Sequence, residues 1–298
     1  MTITAAQVKE LRQATGMGLM ECKKALVENN GDLQKSILWL RERGLSRAAK
    51  KTSRTAAEGS VELAIAPDKK SAVIVEINCE TDFVAKNTDF KEFVKKVAAI
   101  ALEKQINDLD TLGKEKLDGQ AINDLIVEKV AKIGEKISLR RVKFLEVSEG
   151  LIAGYSHMGG KIGVLVALQG PVQENSESLG VDIAMHVAAT APKYLASDEV
   201  DTKELEQEKL LARKKLIEQG KPEQMIDKIL LGQMKKFFSE ICLLEQAFVK
   251  EPKLKIQQLI NKTSDNTKIT AFVRFQLGEG IEVKKKDFSA EVAAQIKG

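Results

Sequence analysis

The segment that decides the fold runs from Ala72-Val73-Ile74-Val75-Glu76-Ile77 to Thr81-Asp82-Phe83-Val84-Ala85-Lys86-Asn87. The first six residues have the composition of a buried strand, and a helical pattern of apolar residues begins at Phe90. An Asp-Phe pair therefore lies at a strand-to-helix junction. From residue types alone, Asp82 is a helix N-cap and Phe83 is a core residue. The alternative is that Phe83 is an exposed aromatic side chain beside a carboxylate.

The composition is typical of a folded, mildly basic protein. The chain has 298 residues, which is enough for two or more domains, and 43% of them are hydrophobic. Its formal net charge of +4 is weaker than the basic excess of a dedicated nucleic-acid binder. Three well-separated cysteines indicate a reducing compartment, and the sequence has neither a signal-peptide layout nor an apolar run of membrane-spanning length. We therefore expect a cytoplasmic protein with no membrane partner and no direct nucleic-acid partner.

Three short helices are predicted before residue 46. Each carries apolar residues at helical spacing, and the breaks between them fall at residues 16–18 and 29–32. Asp32 is a suitable N-cap for the third helix, which we expect to stop at Gly44. The basic segment that follows, residues 46–55, is either a site of RNA contact or, as we favour, a solvated helix end or tether.

A repeated pattern occurs in the central part of the chain. Gly59 and Ala72 mark two successive strand patterns, and Gly150 and Gly163 mark another two; both pairs are 13 residues apart. Each pair leads into an alanine-rich helical pattern, at residues 97–99 and 187–189. The simplest interpretation is a duplicated β-β-α unit that forms two α+β subdomains. The alternative is a chance match between apolar strands.

A helical hairpin is predicted at residues 200–241. Two apolar stripes are separated by Gly220, which can end the first helix, and by Pro222, which can start the second. Such a hairpin either contacts another chain, so that a dimer forms through it, or packs only on its own domain. Beyond it, the sequence predicts a strand at residues 270–275, a turn at residues 278–280 and a final amphipathic helix that carries Phe288, Val292, Ala293 and Ile296.

Recognisable catalytic and cofactor motifs are absent from the sequence. The two histidines are His157 and His186, and neither lies in a metal-binding motif. Gly159-Gly160-Lys161 lacks the other residues of a phosphate-binding loop, and there is no Gly-x-Ser-x-Gly nucleophile motif. We therefore expect no enzyme activity, no metal and no cofactor.

Five motifs follow one another over nearly the whole chain. The first comprises residues 8–12 and 15–26, and the second comprises residues 78–87. In the third, His157 precedes Gly163-Val164-Leu165-Val166. The fourth comprises residues 220–222 and 234–237, and the fifth comprises residues 246–249 with Pro252, 272–275 and 278–282. Together they resemble the motifs of the bacterial elongation factor Ts family.

This resemblance implies an α+β fold with an N-terminal three-helix domain of the ubiquitin-associated type, a duplicated α+β core with an inserted helical hairpin, and a C-terminal helix. The implied division assigns residues 1–55 to the helical domain and its linker and 56–146 to the N-terminal core subdomain. It assigns residues 147–199 and 242–280 to the C-terminal core subdomain, 200–241 to the hairpin and 281–298 to a C-terminal module.

The resemblance also implies a function. Members of this family act as guanine nucleotide exchange factors for the GTPase elongation factor Tu in translation elongation. Asp82 and Phe83, flanked by Thr81 and Val84, would be inserted near the Mg²⁺ and phosphate site of that partner and so promote GDP release. Supporting contacts would come from Arg12, Leu19, Met20 and His157.

Two other functions are compatible with parts of the sequence. The N-terminal three-helix unit alone suggests an adaptor that binds a ubiquitin-like protein, but this leaves the Asp-Phe junction and the repeated core unexplained. The basic segment and the pI of about 8.7 suggest an RNA-binding translation protein, for which an aromatic content of 4% offers few stacking groups. An enzyme of unknown class is the third and weakest alternative.

Overall fold

Groups of helices and antiparallel strands make up the part of the chain that the computed structural model describes, residues 3–263 and 266–282. The predicted α+β class is confirmed. Among the described helices, none combines the length and the apolar character that a membrane crossing requires. The final helix predicted around Phe288 lies outside the described residues.

Three helices form the N-terminal unit, as the sequence predicts: α1 (Ala5–Thr15), α2 (Leu19–Glu28) and α3 (Leu33–Lys51). α1 begins with a capping box, in which Thr4 accepts a hydrogen bond from the Gln7 N–H and the Gln7 side chain accepts one from the Thr4 N–H. It ends at Gly16, whose φ of 64° lies in the left-handed region. The core of the unit is centred on four fully buried apolar side chains, Leu11, Cys22, Ala25 and Leu26.

The first sheet has three antiparallel strands in the order β1-β2-β5. Its strands and the elements between them are β1 (Glu58–Ile65), β2 (Ser71–Cys79), α4 (Asp82–Lys86), α5 (Thr88–Glu103), α6 (Leu109–Lys114), β3 (Lys116–Leu117), β4 (Gln120–Ala121), α7 (Ile122–Ile133) and β5 (Ile137–Glu146). The strand and the helix predicted on either side of the Asp-Phe pair are confirmed as β2 and α5. Helices α5 and α7 pack on one face of the sheet.

The prediction that the third helix stops at Gly44 is wrong, because α3 continues to Lys51. Gly44 lies instead where α3 packs against α7. A Cβ atom added to Gly44 would lie 2.7 Å from the Cβ of Ala131, which is closer than two carbon atoms pack. Gly44 therefore permits a close helix contact, and the alanine and basic residues after it favour continuation of the helix. The basic segment is accordingly a helix end as far as Lys51.

The second sheet has the strand order β6-β7-β10, with the second strand again in the middle. Its strands and the elements between them are β6 (Gly150–His157), β7 (Ile162–Gln169), α8 (Ser176–Thr190), α9 (Thr202–Glu218), α10 (Glu223–Ile241), β8 (Ala247–Phe248), β9 (Glu251–Lys255), α11 (Ile256–Thr263) and β10 (Lys268–Gln276). The helices predicted for the hairpin are present as α9 and α10, and the predicted late strand is β10.

The two sheets pack face to face, so β2 is covered on both sides. Val73 and Val75 lie in the core between the first sheet and its helices. Ile74, on the other face, packs in a second core with Leu165 of β7. Burial of both faces explains why β2 is a continuous apolar run instead of an alternating one.

Glu76 is a fully buried carboxylate that ties the two sheets together. It accepts hydrogen bonds from Arg140 Nη1 at 2.8 Å, from Arg141 Nε at 2.7 Å and from the Gly278 N–H at 3.0 Å. Burial by itself would raise the pKa of Glu76, but these donors outweigh it and lower the pKa. The Arg141 guanidinium also lies 4.2 Å from the ring centroid of Phe275. The cluster thus fixes the turn after β10 to the first sheet.

The two helices of the hairpin carry four buried side chains, Ala212, Leu216, Ile226 and Met234. Other apolar side chains on the hairpin are exposed, namely Leu210, Leu211, Ile217, Met225 and Leu231. Near the start of α9, Glu204 accepts hydrogen bonds from Lys193 Nζ at 3.0 Å and from the Tyr194 hydroxyl at 2.8 Å. These bonds join the base of the hairpin to the segment that follows α8.

Candidate functional site

The junction at residues 81–87 is fixed by two successive helix caps. The Thr81 hydroxyl accepts a hydrogen bond from the Val84 N–H at 3.4 Å and is the N-cap of α4. α4 has only five residues, and Asn87 lies at its end. The Asn87 side chain then caps α5 by accepting hydrogen bonds from the N–H groups two and three residues later. The short helix is therefore held at both ends.

The Phe83 side chain points into solvent. It is 82% exposed, whereas the neighbouring Val84 is 8% exposed and packs in the core of the first sheet. Val84 is the residue of α4 that faces the core, and Phe83, about 100° around the helix from it, projects on the side that the other described elements leave uncovered. The interpretation from residue types alone, with Asp82 as the N-cap and Phe83 in the core, is wrong, because Thr81 is the cap and Phe83 is exposed. A side chain that would gain about 1.5–3 kcal/mol from burial is thus kept in water.

Asp82 is charged and paired in the free protein. Its carboxylate accepts a hydrogen bond from Lys86 Nζ at 2.6 Å, one helical turn later. This hydrogen bond lowers the pKa of Asp82, and the attraction of the Lys86 charge adds to the effect. The Asp82 side chain remains 45% exposed, so a partner that approaches α4 meets both the carboxylate and the aromatic ring.

A second loop, residues 134–136 between α7 and β5, holds the junction in place. Glu135 accepts hydrogen bonds from the Thr81 N–H at 3.0 Å and from the Thr81 hydroxyl at 2.8 Å. In the opposite direction, the Lys136 N–H donates to the Glu80 carboxylate at 2.6 Å. We refer to these two pairs, Glu135 with Thr81 and Lys136 with Glu80, as the crossed clamp. Sequence reasoning missed Glu135, because 54 residues separate it from Thr81 and no local spacing connects them.

The segment after α3 reaches the same place. Lys136 Nζ donates to the carbonyl oxygens of Thr52 at 2.7 Å and Arg54 at 2.9 Å. The Arg54 guanidinium pairs with the Glu80 carboxylate at 3.2 Å. Part of the segment predicted to be a solvated helix end or tether therefore contacts the base of the candidate site.

His157 is an exposed residue at the end of β6. The Tyr155 hydroxyl lies 3.0 Å from His157 Nδ1, and the two rings stack with centroids 5.9 Å apart. The next residue, Met158, is 70% exposed. The turn between β6 and β7 thus presents an oriented imidazole and an apolar side chain to solvent.

The strand register places this turn at the same end of the molecule as Phe83. The Val61 N–H donates to the Gly160 carbonyl at 2.8 Å, which brings the β6–β7 turn against β1. In the first sheet, Glu58 lies opposite Cys79, the last residue of β2 and two residues before the cap of α4. The start of β1 and the end of β2 therefore lie between His157 and the Asp-Phe pair.

The remaining predicted residues lie on the N-terminal unit, in and beside its first loop. Arg12 is exposed, and Leu19 and Met20 are 51% and 71% exposed. Gly16 in this loop lies against the last turn of α7, because a Cβ atom added there would be 2.8 Å from Lys132 Cε. Since α7 leads directly into residues 134–136, the loop lies near the crossed clamp.

Three strongly exposed apolar side chains lie toward this end of the molecule, apart from those on the hairpin. Met20, Phe83 and Met158 are each at least 70% exposed. Within residues 3–263 and 266–282, no group of three or more His, Cys, Asp or Glu side chains is arranged to hold a metal. The fold and the site together define an α+β protein that presents apolar side chains to solvent beside a capped helix junction, which is a surface suited to a protein partner.

Comparison with known proteins assigns the family. The family model described as "Elongation factor TS" matches residues 80–279, which is more than half of the chain. Elongation factor Ts of Halothermothrix orenii is 44% identical over 299 residues, which covers 99% of both chains. Elongation factor Ts of Hydrogenovibrio crunogenus is 47% identical over 295 residues, which covers 99% of this chain and 98% of the relative. The chain belongs to the elongation factor Ts family, and so to the elongation factors of protein biosynthesis.

Proposed function

We propose that this chain is a guanine nucleotide exchange factor for elongation factor Tu in translation elongation, and that it promotes GDP release by inserting Asp82 and Phe83 near the Mg²⁺ and phosphate site of the GTPase. Its family supports the choice of partner. The observation that carries the mechanism is the 82% exposure of Phe83 on a helix that is capped at one end and followed directly by the cap of α5. Residues 81–84 form the partner-binding site in this proposal.

Exchange of this kind requires differential binding and no covalent chemistry. A GTPase holds GDP through phosphate contacts and through Mg²⁺. A factor promotes release when it binds the nucleotide-free state more tightly than the nucleotide-bound state. By linkage, the bound exchange factor lowers the affinity of the GTPase for GDP, and bound GDP lowers the affinity of the GTPase for the exchange factor by the same ratio. This chain therefore needs no catalytic residue, cofactor or metal of its own to promote release.

Phe83 accounts for part of the required free energy. Transfer of a phenylalanine side chain from water into an apolar pocket is worth about 1.5–3 kcal/mol. A shift of the GTPase from nearly all GDP-bound to nearly all GDP-free takes roughly 5.5 kcal/mol of differential affinity for the exchange factor. Asp82 adds a second contact, because its carboxylate can leave Lys86 and cap a helix of the partner. Other contacts must supply the remainder.

Arg12, Leu19, Met20 and His157 are the proposed sources of these supporting contacts. Their exposure, and their position near the same end of the molecule as Phe83, support this assignment. Tyr155 engages Nδ1 of His157, so Nε2 is the ring atom that we propose meets the partner. Each contact adds affinity for the GTPase, and only those made preferentially with the nucleotide-free state promote release.

The finer architecture is also part of the proposal. We propose that the three N-terminal helices form a domain of the ubiquitin-associated type and that the two sheets are duplicated units. The strand register supports duplication. Gly59 lies opposite Asn78 in the first sheet, and Gly150 lies opposite Gln169 in the second. Each residue of the second pair lies 91 residues after its counterpart in the first pair. A Cβ atom at either glycine would lie about 2 Å from a carbonyl oxygen of the facing strand. The division of the chain at residues 55, 146, 199, 241 and 280, the location in the cytoplasm and a dimer through the hairpin stay predictions.

The decisive experiment measures release of labelled GDP from elongation factor Tu in excess unlabelled nucleotide, with and without this protein. We expect release to accelerate with protein concentration and to reach a plateau. A parallel incubation of this protein with GTP alone should liberate no phosphate. Unchanged GDP release at saturating protein would refute the proposal, and capture assays with a ubiquitin-like protein and with RNA would then test the two alternatives.

A further inference from the structure

We propose that Glu135 is a positioning residue for nucleotide exchange, which holds the Asp82-Phe83 pair in its binding orientation through Thr81. This inference rests on the proposed function, and it concerns a residue that need not touch the partner. It starts from the geometry of the crossed clamp, in which the two oxygens of Glu135 reach the N–H and the hydroxyl of Thr81 separately.

The Thr81 hydroxyl links Glu135 to α4 in a chain of hydrogen bonds. It donates to Glu135 at 2.8 Å and accepts from the Val84 N–H at 3.4 Å. Val84 packs in the core, and its N–H is bonded to the Thr81 hydroxyl. A change in the Thr81 rotamer therefore shifts the first turn of α4 and with it the direction of Phe83. Glu135 therefore acts on the exposed aromatic ring through the N-cap of its helix.

α4 cannot hold this orientation by itself. A helix of five residues has too few internal hydrogen bonds to offset the cost of nucleation, so its conformation depends on its caps and on tertiary contacts. Val84 supplies one tertiary contact, and Glu135 supplies a second at the other side of the cap. With Glu135 removed, α4 keeps its apolar anchor and its N-cap, but Thr81, the cap residue, loses the two hydrogen bonds that hold it in place.

The crossed clamp also connects this turn to the N-terminal unit. Lys136, the residue after Glu135, donates to two carbonyl oxygens in the segment that follows α3. Residues 134–136 therefore contact both the Asp-Phe junction and the chain that leads from the helical unit. A partner that docks on that unit meets α4 at an orientation set by this loop.

The test compares Glu135→Ala, Glu135→Asp and Glu135→Gln in the GDP-release assay, with Glu204→Ala as the matched control. Glu204 also accepts two hydrogen bonds through its carboxylate, but at the base of the hairpin. Glu135→Gln can still accept from the Thr81 N–H and should keep most of the rate. Glu135→Asp keeps the charge but is too short to reach both groups, and it remains informative if Glu135→Ala does not fold.

The expected result is a reduced release rate at saturating protein. Misplacement of a preorganised group by about 1 Å can cost on the order of 100-fold, but Glu135 acts through the Asp82-Phe83 pair, so we expect a loss of about 10-fold for Glu135→Ala and Glu135→Asp. The concentration for half-maximal effect should change less, because the supporting contacts remain. Amide hydrogen exchange at Thr81 in the free protein should become faster in both variants and stay slow in Glu204→Ala.

The outcomes separate this inference from the proposed function. If the wild-type protein accelerates GDP release and both Glu135→Ala and Glu135→Asp match it at saturation, the positioning role of Glu135 is refuted. If the wild-type protein does not accelerate release, the proposed function fails instead. In that case faster exchange at Thr81 in Glu135→Asp would still support Glu135 as the residue that holds the junction, and unchanged exchange would refute it.

Discussion

Replacement of Phe83 by alanine should impair exchange while leaving the fold intact, and both magnitudes follow from its exposure. Only about a fifth of the side chain is buried in the free protein. At about 1.5–3 kcal/mol for full burial, truncation should lower the free energy of unfolding by only about 0.3–0.5 kcal/mol. The exposed four-fifths corresponds to about 1.2–2.5 kcal/mol of binding, which is about 8- to 70-fold in affinity for the nucleotide-free GTPase.

Phe90→Ala is the control for this prediction. Phe90 lies seven residues further along the chain, in α5, and is 1% exposed in the core of the first sheet. Its truncation should cost about 3–5 kcal/mol of unfolding free energy. Urea unfolding measures the stability of both variants, and GDP release from elongation factor Tu, titrated with Phe83→Ala, measures the functional loss. A stability loss for Phe83→Ala as large as that for Phe90→Ala, or normal exchange by a folded Phe83→Ala protein, would refute the reasoning.

Three further predictions concern the scaffold. Glu76→Ala leaves two arginines without their shared carboxylate and should cost up to about 3–5 kcal/mol in urea unfolding; a loss below 1 kcal/mol would contradict this. Burial lowers the pKa of His186 in the folded protein. The neutral imidazole therefore contributes its full stability above pH 6.5, the ordinary pKa of histidine, and this contribution is lost as the pH falls below 6.5. A His186 pKa above 6.5, measured by NMR, would exclude this. Gly44→Ala should destabilise the protein by about 1–3 kcal/mol, because the added methyl group clashes with Ala131. Gly232→Ala, in α10 with open space around it, should stabilise the protein by about 0.5–1 kcal/mol. Equal effects of the two substitutions in thermal unfolding would contradict the packing argument.

Sequence spacing was sufficient wherever the relevant interaction is local. The continuous apolar run at residues 72–77 predicts the buried strand β2, and the recurrence that starts at Phe90 predicts the helix α5. The hairpin followed from two apolar stripes with a break at Gly220 and Pro222. These features depend on hydrophobic periodicity and backbone stereochemistry, which neighbouring residues determine among themselves.

The role of glycine depended on a contact that the sequence does not contain. Gly16 and Gly44 have the same side chain, and both were expected to interrupt helices. Gly16 does so, with a positive φ at the end of α1, whereas Gly44 lies inside α3 and against Ala131. Only the packing of α3 on α7 distinguishes these two uses of a missing Cβ atom.

The sequence by itself determined where the Asp-Phe pair lies along the chain, at a turn between a strand and a helix. Only the tertiary structure decided that Phe83 is exposed, because that depends on Val84 taking the adjacent place in the core. The tertiary structure alone also brought Glu135 to Thr81 and the two arginines to Glu76, across 54 and more residues of chain. The physical reason is range: periodicity records which residues avoid water, whereas long-range hydrogen bonds and solvent exposure depend on which surfaces meet after folding.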